Sequence, residues 1–256
     1  MSTPLRPAAA CLTRASITSS LKVELRRLTR SGLGLGVLVG FAFFGLSGPV
    51  LSIYMPEILG AAASTDQLAI SASQATPADA ISLFNQSAMQ LGLIVTVAVA
   101  ITSIGWDTRP GSSIFYRTRV HRLSTVLLPR LIIDWLIALA TYSCGLLLAV
   151  VVTASAIGRP PAGMVVRTWM ACGLYIVMAM SIGHLIAASL RRTTTAIALT
   201  TLLVLVLPVM NQVPGTSRWV PTALLLPTGL HAMPVVVSLV VTGLCAVGSV
   251  LIARRQ

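Results

Sequence analysis

Long apolar stretches alternate with short polar or proline- and glycine-containing segments along the chain after Ser31. A helix rises 1.5 Å per residue, so roughly 20 apolar residues cross the ~30 Å hydrocarbon layer of a bilayer. Stretches of about this length recur along the sequence. They predict an all-α, polytopic membrane fold with about six transmembrane helices, near residues 33–54, 87–106, 131–156, 166–190, 194–210 and 234–253.

The segment before the first apolar stretch is polar and basic, which predicts that no cleavable signal peptide precedes the first span. Residues 1–16 are predicted to form a cytoplasmic tail, and residues 17–31 show helical periodicity. The apolar positions of this segment are Ile17, Leu21, Leu25 and Leu28. The charged positions on the remaining surface are Lys22, Glu24, Arg26, Arg27 and Arg30. This pattern predicts an amphipathic interfacial helix that either anchors the topology or contacts a partner subunit.

The composition agrees with a bilayer environment, because 55% of the residues are hydrophobic and only 9% are charged. A soluble domain of 256 residues could not keep so much apolar surface away from water. The formal net charge of +12 could indicate nucleic-acid binding. Fifteen of the 18 Lys and Arg residues, however, lie in segments that bound the apolar stretches, where they act as topology signals. We therefore expect no nucleic-acid partner.

The distribution of positive charge predicts the orientation of the chain. Arg and Lys concentrate in the N-terminal segment, in residues 107–130, at residues 191–192 and at residues 254–255. Because positive charge resists translocation, these segments are predicted to be cytoplasmic. The remaining basic residues, which this topology places on the opposite side, are Arg159, Arg167 and Arg218. Residues 32–256 are thus predicted to form a six-span domain of the cell (plasma) membrane, with both termini cytoplasmic.

Two predicted outer segments have local signals. Thr76-Pro77-Ala78-Asp79 is typical of a helix start, with a Thr N-cap, Pro at the first position and an acid in the first turn. This helix is predicted to run directly into the second span. In residues 211–233 several prolines interrupt an apolar stretch, which predicts a broken, partly re-entrant hairpin.

The predicted cytoplasmic loop of residues 107–130 has a distinctive arrangement. It opens with Asp107, has Gly111-Ser112 four residues later, and ends in Leu127-Leu128-Pro129-Arg130. The arrangement resembles the loop between spans two and three of the permease subunits of ABC type-2 transporters. That loop typically opens with an acid, continues with Gly-Thr or Gly-Ser, and ends in a Leu-Leu-Gly-Lys-like entry to span three. His121-Arg122 lies within one residue of the family's usual Ser-Arg pair.

This chain departs from the family pattern at several positions of the loop. Asp107 stands for the usual Glu, Pro110 interrupts the opening, and Pro129 replaces the more common Gly. Arg117 and Arg119 make the loop unusually basic. The general layout of interfacial helix, spans and loop nevertheless resembles the family over nearly the whole chain.

The resemblance implies that the loop inserts as short coupling helices into a groove on a separate ATPase, which binds ATP and Mg²⁺. The coupling residues expected from it are Asp107, Gly111, Ser112, Arg117, Arg119, His121, Arg122 and Arg130. The expected contacts of the interfacial helix are Leu21, Lys22, Leu25, Arg26 and Arg27. A second permease subunit, identical or paralogous, and export of a hydrophobic or amphipathic compound are also implied. Alternatively, the cations of the loop only enforce topology.

The chain is predicted not to be an enzyme, and no catalytic, cofactor or metal site is expected on it. No segment matches the phosphate-binding pattern Gly-x-x-x-x-Gly-Lys-Ser/Thr, and the four cysteines have no metal-ligand spacing. Gly45-Leu46-Ser47-Gly48 superficially resembles the Gly-x-Ser-Gly motif of rhomboid intramembrane proteases. That alternative requires Ser47 and His184 to come within hydrogen-bond reach. A non-transport structural or assembly membrane protein, without an ATPase partner, is the other alternative.

Few polar residues lie inside the predicted spans. Asp134 follows Arg130 by one helical turn, so an ion pair within the helix is expected, with a proton relay as the alternative. His184 is expected to hydrogen-bond a neighbouring helix, with titration or substrate binding as the alternatives. Three amide side chains near the outer end of span two are expected either to line a substrate path or to bond other helices, namely Asn85, Gln86 and Gln90.

Glycines in the first predicted span include a Gly36-x-x-x-Gly40 spacing. In a membrane this spacing lets a second helix approach closely, because neither position carries a side chain beyond Cα. The sequence therefore indicates that this face could contact another subunit.

Overall fold

The computed structural model of the chain describes residues 21–22, 24–26, 30, 32–62, 75–105, 124–190, 192–212, 219–225 and 231–255. Within these residues the chain is helical throughout, apart from short connections, and no strand is present. Six helices are long and apolar enough to cross a membrane, and we number them as spans 1 to 6. The spans are Leu33–Met55, Pro77–Ser103, Leu127–Ala156, Ala162–Leu190, Thr193–Met210 and Ala232–Ile252. The predicted all-α, six-span fold is confirmed, and the fold is that of a multi-pass membrane protein.

Four spans lie in uninterrupted α-helices, which are Leu33–Ala62, Ser124–Ala156, Ala162–Leu190 and Ala232–Arg255. The helix of span 3 begins several residues before the predicted boundary at 131 and contains Pro129. Pro129 lies in its second turn, near the helix start, where few intrahelical hydrogen bonds are lost. Span 5 consists of the α-helix Thr193–Val206 and most of the following 3-10 helix, Leu207–Gln212.

Span 2 begins at Pro77, ten residues before the predicted boundary at 87, as the helix-start signal indicates. Thr76 is the N-cap: its Oγ1 accepts a hydrogen bond from the Asp79 backbone N–H at 3.3 Å. In return, Asp79 Oδ2 accepts a hydrogen bond from the Thr76 backbone N–H at 3.1 Å. This capping box satisfies N–H groups at the start of the helix. The prediction that this helix continues directly into the second span is confirmed.

A π-helical segment interrupts span 2. The α-helices Pro77–Ser87 and Leu93–Gly105 are joined by the π-helix Ala88–Gly92. A Cβ at Gly92 would lie 2.8 Å from Cε1 of the buried Phe41 ring, so glycine is required where this ring packs on the segment. Single π turns of this kind are frequently found at functional sites.

The apolar core lies between spans 1 to 4. The rings of Phe41 and Phe84 each lie with their centroids 5.9 Å from that of Tyr142, and all three side chains are buried. Span 4 is the most enclosed helix, with 67% of its most apolar segment buried, against 17% for span 5 and 22% for span 6. Span 4 is therefore the central helix of the bundle, while spans 5 and 6 are peripheral.

Spans 1 and 3 approach each other backbone to backbone. A Cβ at Gly145 would lie 2.7 Å from the carbonyl oxygen of Phe41, and a Cβ at Gly45 would clash with the carbonyl of Gly145. In contrast, a Cβ at Gly36 or Gly40 would meet no atom within 4 Å. The close contact inside the chain therefore uses Gly45 and Gly145, and the Gly36-x-x-x-Gly40 face is left uncovered by the described residues.

The segment between spans 5 and 6 folds back onto the bundle where it is described. A 3-10 turn, Pro221–Leu225, packs against spans 4 and 6, and its residues Thr222, Ala223 and Leu224 are buried. The Thr222 hydroxyl donates to the carbonyl oxygen of Leu207 at 3.3 Å. The described part agrees with the expected break in this segment, and the re-entrant path stays a prediction.

Candidate functional site

Most of the predicted coupling loop lies outside the described residues. This applies to Asp107, Gly111, Ser112, Arg117, Arg119, His121 and Arg122, and to Arg27 of the interfacial helix. Arg130 is described and lies in the helix Ser124–Ala156. The predicted interfacial contacts Leu21, Lys22, Leu25 and Arg26 are also described and are helical.

The interfacial helix presents a different face to the bundle from the one its sequence pattern indicates. Glu24 is only 4% exposed, whereas Leu25 is 49% exposed and Lys22 and Arg26 are exposed. The prediction that Glu24 lies on the outer surface with the cations is wrong. Gly32, between this helix and span 1, has φ +70°, a conformation that glycine adopts without strain. The chain turns there into span 1, as expected.

Glu24 is buried because it pairs with Arg130. Oε2 of Glu24 accepts a hydrogen bond from Nε of Arg130 at 3.3 Å, and the two side chains are 6% and 4% exposed, respectively. The pair joins the interfacial helix to the first turns of span 3, across 106 residues of sequence. Arg130 is also the last residue of the predicted coupling loop. The loop end and the interfacial helix therefore meet in one buried ion pair.

Asp134 is bound to two other helices. Its Oδ2 lies 2.9 Å from Nε2 of His184 in span 4 and accepts a hydrogen bond of 3.1 Å from the hydroxyl of Ser103 in span 2. Asp134, His184 and Ser103 are 4%, 2% and 1% exposed. The expected ion pair between Arg130 and Asp134 is not formed, since Arg130 binds Glu24. The expectation that His184 bonds a neighbouring helix agrees with the structure.

The geometry of the spans explains why these side chains meet. Arg130 and Asp134 are four residues apart, so they share one face of their helix. Ser103 is the last residue of span 2, and His184 lies within two turns of the end of span 4. Spans 2 and 4 end, and span 3 begins, at the same end of the bundle. We call it the Arg130 end. The five residues Glu24, Ser103, Arg130, Asp134 and His184 form a buried polar layer there.

A second polar contact joins the same three spans nearer the opposite end. The Tyr142 hydroxyl donates to Oδ1 of Asn85 at 2.8 Å, and the Cys172 thiol lies 3.9 Å from the same oxygen. Asn85 therefore bonds other helices, which is the alternative to a substrate path. Gln86 and Gln90 are exposed and have no hydrogen-bond partner among the described residues.

The serine–histidine pair of the protease alternative is not formed. The Ser47 hydroxyl lies 3.5 Å from the carbonyl oxygen of Phe44 on its own helix, and His184 is bound to Asp134. Among the described residues, no group of three or more His, Cys, Asp or Glu side chains is arranged to hold a metal ion.

The sequence did not indicate Ser103, Tyr142 or Cys172 as members of polar contacts. Each is a single polar residue in an apolar helix, and its partners lie 31 or more residues away along the chain. The only signal was the presence of Asp134 and His184 inside spans, because a buried ionisable group needs a partner.

Comparisons of the chain with protein-family models, with curated proteins and with solved structures found no match.

Proposed function

We propose that the chain is the membrane-spanning subunit of an ABC type-2 transporter. In this proposal a separate ATPase supplies the energy, and a second permease subunit completes the pathway, through which a hydrophobic or amphipathic compound is exported. The Arg130 end of the bundle faces the cytoplasm of a plasma membrane, in agreement with the distribution of Arg and Lys. The six apolar helices and the interfacial helix are compatible with this role.

The buried pair of Glu24 and Arg130 is the observation that best supports the proposal. A coupling loop transmits force only if its ends are firmly connected to the helices that must move. Breaking a buried ion pair by removal of one partner leaves an uncompensated charge and costs roughly 3–5 kcal/mol. Glu24 and Arg130 therefore hold the loop end, the interfacial helix and span 3 together. A push by the ATPase on residues 107–130 reaches all three elements.

Gln86 and Gln90 are the best candidates for a polar contact in the substrate path. Gln90 lies in the π-helix, thirteen residues before Ser103, which is ~20 Å from the Arg130 end of span 2. This depth is inside the ~30 Å hydrocarbon layer. An amide exposed to lipid there lacks a hydrogen-bond partner, which is unfavourable. A polar group of the substrate or of a second subunit would satisfy it.

Charge reversal in the loop tests the coupling role. The tagged chain is purified in mild detergent with any associated ATPase, and ATP hydrolysis is compared for the wild type and the triple variant R117E/R119E/R122E. Because Arg binds carboxylates through a bidentate fork, reversal replaces attraction to an acidic groove by repulsion. We expect the variant to lose the ATPase from the preparation, or to retain ATP hydrolysis that no longer drives transport.

The matched control is the double variant R159E/R167E, whose residues are exposed at the opposite end of the bundle. It reverses charges without touching the predicted loop, so its association with the ATPase should equal that of the wild type. Equal loss in both variants would indicate a general effect of charge on folding. A stable chain that never associates with an ATPase would instead support the structural or assembly role.

A further inference from the structure

The Asp134–His184 contact is unusual for its position. Asp134 lies seven residues after the start of span 3 and His184 six residues before the end of span 4, about 10 Å from the Arg130 end. Both side chains are almost completely buried. Ionisable groups at such depth are costly, and an ionisable residue within a membrane span is by default a candidate for a functional site.

The charge of the pair depends on a single proton. With one dissociable proton shared between the carboxyl and imidazole groups, the pair is neutral overall, whichever atom carries the proton. A second proton, or the loss of the first, leaves a net charge inside the bundle. The structure brings the relevant atoms together, because Oδ2 of Asp134 and Nε2 of His184 are 2.9 Å apart. The Ser103 hydroxyl contributes a further hydrogen bond to the same Oδ2.

Other ionisable groups near the pair are few in the part of the chain that the structure describes. On span 3, Arg130 lies one turn away and is bound to Glu24 of the interfacial helix. Span 4 also carries Tyr175 and Cys172, further from this end. Arg192, before span 5, is exposed, and span 6 carries Cys245. Spans 1 and 2 present no charged side chain at this depth.

We propose that Asp134 and His184, assisted by Ser103, form a site that binds one exchangeable proton between spans 2, 3 and 4. The proton content of the site and the packing of these helices are then linked, since separation of span 3 from span 4 lets each group exchange protons with water on its own. This inference does not depend on the transporter assignment, because the site and its proton belong to this chain alone.

The test follows the imidazole signals of ¹⁵N-histidine-labelled protein in lipid nanodiscs by NMR, as a function of pH. The variant H184Q assigns the signal of His184, and the exposed His231 serves as an internal control. In the wild type we expect the His184 signals to change with pH as the site gains or loses its proton. In D134N, which lacks the carboxylate, the pH dependence of these signals should differ from that of the wild type.

Two further measurements keep the test decisive if D134N fails to fold. S103A removes only the hydroxyl that donates to Oδ2 of Asp134, and it should change the pH dependence of the His184 signals less than D134N does. Infrared difference spectra of the wild type should show a change in the Asp134 carboxyl band over the pH range in which the His184 signals change. A His184 signal that keeps one protonation state throughout, or that titrates identically in wild type, S103A and D134N, would overturn the proposal and leave a static hydrogen bond.

Discussion

Arg130 and Asp134 lie one helical turn apart on span 3, and each binds a different element. Nε of Arg130 lies 3.3 Å from Oε2 of Glu24 in the interfacial helix, whereas Oδ2 of Asp134 lies 2.9 Å from Nε2 of His184 in span 4. Adjacent opposite charges on a helix usually attract each other weakly, by a few tenths of a kcal/mol. Two buried partners on other elements outweigh that attraction. One face of span 3 therefore binds the interfacial helix through Arg130 and the central span 4 through Asp134.

The first prediction concerns Glu24 and Arg130. E24Q and R130M should each lower the stability of the purified chain by about 3–5 kcal/mol, because each breaks the buried ion pair by changing one partner. The double variant E24Q/R130M should be more stable than the sum of the single effects predicts. Thermal unfolding in detergent, followed by loss of the monodisperse peak in size-exclusion chromatography, measures these differences.

The control for this pair is K22Q, which removes a neighbouring charge that is exposed on the same helix. Its effect should stay within about 0.5 kcal/mol, as is usual for surface substitutions. If E24Q were no more harmful than K22Q, the interfacial helix would not be held by this ion pair.

The second prediction concerns the interaction energy between the side chains of Asp134 and His184. H184A leaves the buried carboxyl group of Asp134 with the Ser103 hydroxyl as its partner among the described residues, so it should destabilise the chain by roughly 3 kcal/mol. D134N keeps a polar group of the same shape and should cost about 1 kcal/mol, in the range of interhelical hydrogen bonds in membranes. In the double variant D134N/H184A the two effects should not add. Strict additivity would mean that the two side chains do not interact.

The third prediction compares glycines in spans 1 and 3. G145A forces a methyl group against the Phe41 carbonyl, and such overpacking typically costs about 1–3 kcal/mol. A Cβ at Gly36 or Gly40 meets no atom of the described residues within 4 Å, so G36A and G40A should leave the thermal midpoint of the isolated chain almost unchanged. If G36A disrupted an oligomer without affecting the monomer, the Gly36-x-x-x-Gly40 face would be a subunit contact.

The fourth prediction separates path residues from packing residues. N85L removes the acceptor of the buried Tyr142 hydroxyl and should lower thermal stability, by about 1 kcal/mol or more. Q90L removes an exposed amide without a partner in the described residues, so stability should be maintained. Substrate-stimulated ATP hydrolysis of the complex should decrease in Q90L. Unchanged stimulation in Q90L would argue against a role for this side chain in the path.

Local signals in the sequence predicted local structure well. Thr76 and Asp79 are three residues apart, and a capping box depends on nothing else, so the helix start at Pro77 could be predicted, although the predicted boundary of the span itself lies at 87. The six apolar spans could also be predicted, since each must contain about 20 apolar residues to cross the bilayer.

Contacts between distant residues could not be predicted from spacing. The sequence pattern of residues 17–31 places Glu24 on the surface with the other charges. Glu24 is buried because of Arg130, which lies 106 residues away along the chain. For the same reason, spacing alone predicts an ion pair between Asp134 and the nearest opposite charge, Arg130. Likewise, Gly45 and Gly145 form the close helix contact because the fold aligns them, although neither belongs to the conspicuous Gly36-x-x-x-Gly40 spacing.

The central claim is that this chain transmits the work of a separate ATPase, and affinity purification tests it most directly. The tagged chain is extracted in mild detergent, its partners are identified by mass spectrometry, and ATP hydrolysis is measured on the preparation. The account predicts a co-purified nucleotide-binding subunit. In R117E/R119E/R122E its association should be lost or its ATP hydrolysis uncoupled from transport, and in R159E/R167E both should be retained. A folded chain that purifies alone and without ATPase activity, from cells that express it normally, would contradict the account.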